Sequence, residues 1–104
     1  MIDAGIKGKS ALVTGGSRGI GRAVVELLAA EGADVTFFYR GDAKAAAEVV
    51  AAGRDAGATI HADQVDVRDA QACVAAVERF VERSGRIDIL VNNAGVIRDN
   101  PLAA

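Results

Sequence analysis

Three glycines, Gly15, Gly19 and Gly21, stand at the spacing G-x-x-x-G-x-G inside the stretch Lys9 to Gly21, KSALVTGGSRGIG. The chemistry this spacing serves is phosphate binding. One glycine makes a tight turn, one lets a ligand approach the backbone, and one lets a helix pack closely on a sheet. The uncharged run Ala11, Leu12 and Val13, closed by Thr14, reads as a strand covered on both faces. Ile20, Val24, Leu27 and Leu28 follow at helical spacing. A pyrophosphate at the turn would meet the unsatisfied N–H groups and the positive dipole end of the helix that starts near Gly19. The alternative is a plain glycine-rich connection, but the strand–turn–helix setting is the one the phosphate motif requires.

A second group of residues bears on which phosphate compound is bound. In a dinucleotide site, an acid ending the second strand grips a ribose 2′-hydroxyl, whereas an arginine accommodates a 2′-phosphate. Here the second strand ends in Tyr39 and Arg40, about 20 residues past the last glycine of the turn. With no acid at that end, NADP (NADPH) is favoured over NAD. Arg40 is the main phosphate partner and Arg18 a second, since a guanidinium holds phosphate through paired hydrogen bonds. The competing reading of Arg40 is a solvated turn residue, and Asp42 nearby is better used as a helix cap.

Other reactive side chains carry less. The single histidine, His61, lies on a strand with no second ligand at metal spacing, and reads as a half-exposed strand residue. The one cysteine, Cys73, falls on the apolar stripe of a helix, where a buried small hydrophobe is its expected role. Arg86 and Asp88 read as a turn pair.

The elements that must position these residues alternate. After the first strand and turn, a helix runs from Ile20 to about Glu31 and ends at Gly32. Asp34 to Tyr39, DVTFFY, is a second strand. Asp42 caps an alanine-rich helix to about Asp55, with Ala46, Val49 and Val50 as its buried positions. Residues 58–65 form a third strand at a sheet edge. Asp69 caps a further helix whose stripe is Cys73, Val74, Val77, Phe80 and Val81, ended by Ser84 and Gly85. Ile87 to Val91, IDILV, is a fourth strand, continuous enough to be central. The order β-α-β-α-β-α-β, with crossovers long enough for parallel pairing, predicts an α/β fold: a Rossmann-type parallel sheet in strand order 3-2-1-4, helices on both faces, and a ligand crevice between strands 1 and 4.

Composition agrees. The chain has 104 residues, 51% hydrophobic and 25% charged, enough for one core and one domain spanning residues 1–104. A net charge of −2 with interspersed signs gives no nucleic-acid patch. Apolar runs too short for a bilayer, no signal-peptide core and a single cysteine point to a cytoplasmic protein with no disulfide.

Three stretches together resemble the short-chain dehydrogenase/reductase family: TGGSRGIG at 14–21, Asp66-Val67, and NNAG at 92–95. The wording around them is most similar to that of the 3-oxoacyl-acyl-carrier-protein reductases. That resemblance implies NADPH-dependent reduction of a carbonyl, a 3-oxoacyl thioester going to the 3-hydroxyacyl product. It implies that Gly15, Ser17, Arg18, Gly19 and Ile20 border the pyrophosphate and its riboses. It implies that Asp66 accepts from the adenine amino group while Val67 supplies an apolar edge, and that Asn92, Ala94 and Gly95 line the ribose and nicotinamide side, with Asn92 also tying strand 4 to its neighbour.

The family's catalytic serine, asparagine and Tyr-x-x-x-Lys pair have no counterpart here. The one tyrosine is Tyr39, followed four residues on by Ala43. Without that acid a carbonyl reduction lacks its proton donor. The chain is therefore expected to be a cofactor-binding half, inactive alone: the first part of a longer reductase, a half completed by another chain, or a small module that pairs through strand 4 as a homo-oligomer. A non-catalytic nucleotide-binding module, or a reductase of another substrate, is the alternative.

Overall fold

The computed structural model describes residues 5–16 and 19–93. Four strands and three helices alternate: β1 Ser10–Thr14, α1 Gly19–Ala30, β2 Asp34–Tyr39, α2 Ala43–Asp55, β3 Thr59–Gln64, α3 Ala70–Ser84 and β4 Ile89–Asn92. The sheet runs β3-β2-β1-β4 with every pairing parallel, as the alternation predicts. The direction of chain progression reverses between β1 and β4, which opens a crevice beyond their carboxyl ends.

Side-chain alternation along the strands divides the interior in two. Ala11 and Val13 of β1, with Val35 and Phe37 of β2, face α1 and α2 and close on Val25, Ala29, Ala46, Val49 and Ile60. Leu12 and Phe38 face the other way, onto Ala76 and Phe80 of α3 and onto Val65. Helices thus cover both faces. Phe37 is wholly buried, and burying a ring of that size contributes about 1.5–3 kcal/mol.

The helix ends follow the expected chemistry. Asp42 accepts from the Ala45 N–H at 2.9 Å and Asp69 from the Ala72 N–H at 3.1 Å, so each carboxylate satisfies a donor that its helix leaves free. Gly85 closes α3 in the left-handed region at φ 83°, and its N–H returns to the Val81 carbonyl.

Two helical stripes differ from expectation. In α1 the residues packed flat on the sheet are Gly21, Val25 and Ala29, while Ile20 and Leu27 are turned outward. In α3 they are Ala76 and Phe80, flanked by Ala72, Cys73 and Val77; Val74 and Val81 point away, Val74 being 59% exposed. Small residues thus share the line of contact with Val25 and Phe80, while Ile20, Leu27 and Val74 lie off it. Among the described residues β4 pairs with β1, and its Leu90, opposite Leu12, is 61% exposed.

Candidate functional site

The glycine turn sits where β1 ends, strapped to its neighbours on both sides. Toward β2, the N–H groups of Gly15 and Gly16 both donate to the Phe38 carbonyl, at 2.8 and 3.2 Å. Toward β4, the Thr14 hydroxyl donates to Asn92 Oδ1 at 3.1 Å and accepts from the Asn93 N–H at 2.8 Å. The Asn93 side-chain amide then donates to the Gly15 carbonyl at 3.2 Å. Asn92 thus ties strand 4 to strand 1, as expected. Thr14 and Asn93 are additional members of the site; the signal for Asn93 was its place beside Asn92 in the NNAG stretch.

The turn is as tight as its glycines require. A Cβ on Gly21 would stand 1.8 Å from the Gly15 carbonyl oxygen and 2.7 Å from Asn93 Nδ2, and one on Gly16 would stand 2.5 Å from the Phe37 Cβ. Gly15 takes φ 72° and Gly19 φ 63°, both in the region that glycine enters without strain. Because the Gly15 and Gly16 donors are taken by Phe38, an anion at this turn would meet the donors at the start of α1, where the Gly19, Ile20 and Gly21 N–H groups have no intrahelical acceptor. Ile20 stands exposed beside them. Ser17, Arg18, Ala94 and Gly95 lie outside the described residues.

The ends of β2 and β3 form the other side of the crevice. Tyr39 packs its ring at a tilt against Phe37, and Arg40 beyond it is exposed. The Val65 N–H donates to the Tyr39 carbonyl at 2.9 Å, and Gln64 Nε2 donates to the Arg40 carbonyl at 3.0 Å, which fixes the path of the Arg40 turn. Asp66 is chelated by Arg68: the backbone N–H and Nε of Arg68 each meet Oδ1 at 3.0 Å and Nη2 meets Oδ2 at 2.9 Å. These bonds, first of all those from the Arg68 side chain, hold the Asp66 carboxyl well below the usual carboxylate range. Val67 is half-buried, and its carbonyl accepts from Cys73 Sγ at 3.5 Å.

The remaining reactive side chains stay away from the turn. Burial, then the charges of Asp69 and Asp66, push the Cys73 thiol up, which suits the packed hydrophobe expected of it rather than a nucleophile. His61, on the edge strand, lies 4.0 Å from Asp34, and burial followed by the charge of Arg83 lowers its pKa. Asp88 does more than pair with Arg86: its Oδ2 also accepts from the Ser10 N–H at 2.8 Å, joining the amino ends of β1 and β4. A concavity of about 450 Å³ lined by Ala29, Gly32, Ala33, Gly53 and Ile60 lies between α1 and α2 at the amino ends of β2 and β3, at the opposite end of the sheet from the glycine turn. Among the described residues no three acidic, cysteine or histidine side chains gather to hold a metal, and no helix is long and apolar enough to cross a membrane.

The family model described as short chain dehydrogenase matches residues 9–104. The chain belongs to the short-chain dehydrogenase family.

Two curated relatives in this family illustrate its range. The 3-oxoacyl-[acyl-carrier-protein] reductase FabG of Staphylococcus aureus is 46% identical over 94 residues, which cover 90% of this chain and 38% of that protein. The L-rhamnose 1-dehydrogenase (NADP(+)) of Thermoplasma acidophilum is 40% identical over 96 residues, covering 92% of this chain and 37% of that protein. Among solved structures, a short chain dehydrogenase from Burkholderia cenocepacia in complex with NADP superimposes with a TM-score of 0.83 at 47% identity, covering 94% of this chain and 42% of that one. This short-chain dehydrogenase chain therefore spans well under half the length of the proteins it matches.

Proposed function

We propose that this chain is the nucleotide-binding part of an NADPH-dependent carbonyl reductase, acting on a 3-oxoacyl thioester to give the 3-hydroxyacyl product. The observation that carries the reading is the crevice between β1 and β4, with the Gly15–Gly21 turn on its floor and Arg40, instead of an acid, at the end of β2. The complex of the Burkholderia relative with NADP supports the cofactor, and the Staphylococcus reductase supports the substrate.

The residues fit such a dinucleotide. The open donors of Gly19, Ile20 and Gly21 receive the pyrophosphate, with Ser17 and Arg18 of the same turn and the bare backbone of Gly15 beside it. Arg40 receives the 2′-phosphate while Tyr39 flanks the ribose. Asp66 and Val67 hold the adenine, and Asn92, Ala94 and Gly95 border the nicotinamide side. When bound, the reduced nicotinamide supplies a hydride. The chain's own residues orient and retain it, and the proton donor comes from the remainder of a complete reductase.

The same reading assigns a role to the outer edge of β4 and to Leu90, which pack against that remainder or against a second copy of the chain. An open apolar strand otherwise invites association. A dehydrogenase of another hydroxyl or carbonyl compound is the second reading, favoured by the similarity to the rhamnose enzyme.

The test is a fluorescence titration of the chain with NADPH and NADH, repeated with Arg40→Asp. Tighter NADPH binding, weakened far more than NADH by the substitution, is the expected outcome. Equal loss refutes the cofactor assignment, and binding of neither refutes the function.

A further inference from the structure

One carboxylate sits between two guanidinium-bearing segments at the end of β2 and β3. The register pairs Tyr39 with Gln64, so Arg40 and Asp66 leave adjacent strands side by side. The Val65-to-Tyr39 and Gln64-to-Arg40 hydrogen bonds keep the two exits together. Asp66 is close enough for the Arg40 charge to contribute to lowering its pKa, behind the larger effect of Arg68. Yet the hydrogen bonds of Asp66 go to Arg68, whose fork takes both carboxylate oxygens. Arg40 contributes only its backbone carbonyl to this network, as the acceptor for Gln64.

We propose that Arg68 is a specificity-determining residue for the 2′-phosphate: by chelating Asp66 it keeps that carboxylate from pairing with Arg40 and cancels the negative charge the phosphate would face. This rests on the NADPH reading above. The planar, permanently charged fork suits the task, because it satisfies both oxygens at once and holds them in one plane. Without it, the Asp66 carboxylate has no guanidinium partner of its own and is left to attract Arg40. Arg40 then divides its time between an internal carboxylate and the ligand, and the local charge falls from one net positive to neutral.

A merely structural role for Arg68, holding Asp66 against adenine, makes a different forecast. It would weaken every adenine nucleotide alike, with or without a 2′-phosphate.

The experiment measures the affinity of the chain for 2′,5′-ADP and for 5′-ADP by calorimetry. These probes engage only the adenosine half of the crevice. In wild type, 2′,5′-ADP binds more tightly. Arg68→Gln is expected to shrink that preference roughly twofold to fivefold, the scale of a solvent-exposed unit charge a few ångströms away. Arg68→Lys should retain most of the preference. The double variant Asp66→Asn with Arg68→Gln should regain it, even if both nucleotides bind less tightly, because the carboxylate that competes for Arg40 has gone. Equal weakening of the two probes by Arg68→Gln, or a double variant no better than the single one, overturns the proposal. Arg40→Ala separates the two levels. If it abolishes the 2′-phosphate preference while Arg68→Gln leaves it intact, the cofactor reading stands and the role of Arg68 falls. If wild type has no such preference, or Arg40→Ala leaves it unchanged, both fall.

Discussion

The side-chain amide of Asn93 donates to the carbonyl of Gly15 across a gap of 3.2 Å, joining the end of β4 to the glycine turn after β1. That bond satisfies one carbonyl of the turn from the β4 side. Asn93→Ala removes it and also the contact beside Gly21. Loss of one such neutral hydrogen bond costs about 1 kcal/mol of stability, measured as a shift in the urea midpoint. NADPH and NADH affinities should fall by the same factor, because the turn serves the part common to both. A loss confined to NADPH would contradict this role.

Gly21→Ala sets two effects against each other. Alanine in a helix is favoured over glycine by about 1 kcal/mol. Here its Cβ would lie 1.8 Å from the Gly15 carbonyl oxygen, a backbone atom with nowhere to retreat while Phe38 and Asn93 hold the turn. Overpacking of this kind costs about 1–3 kcal/mol or more, so the clash wins. The variant should unfold at lower urea than wild type and bind neither nucleotide measurably. An unchanged midpoint would mean that the turn gives way more easily than its hydrogen bonds indicate.

The expected fold was legible because β1, β2 and β4 are short, largely apolar runs and the segments between them carry turn or cap residues, from the glycines after Ala11–Val13 to the caps Asp42 and Asp69. Less legible was which face of a helix goes inward. Leu27, Val74 and Val81 are as apolar as the residues that pack, yet they lie outside the contact, where Gly21, Ala29 and Ala76 sit beside Val25 and Phe80. Small residues carry little hydropathy, so pattern alone understates them. In the site, the glycines and the Arg40 exit could be read directly from spacing. The Asn93–Gly15 bond could not, since it depends on β4 coming to lie beside β1. The Asp66–Arg68 chelate is local, but it appears only once the chain between them folds back.

Asp88 gives the fold an acid-sensitive clamp. The Ser10 N–H first, and then Arg86, lower the Asp88 pKa from its ordinary value. A carboxyl depressed in the folded state contributes stability that is fully present above its unfolded pKa of about 3.9 and is lost as pH falls through the folded value. Wild type should therefore lose more of its urea midpoint between pH 5 and the acid limit than Asp88→Asn, whose amide does not titrate. Parallel curves for the two proteins would remove Asp88 from the acid response.

The most direct test of the account is to follow backbone amide resonances of the chain while NADPH is added. Capture of the diphosphate at the opening βα turn predicts the largest shifts at Gly19, Ile20 and Gly21, with smaller ones at Gly15, Asn93 and Arg40. Shifts gathered instead around Gly32, Gly53 and Ile60, at the opposite end of the strands, would contradict it.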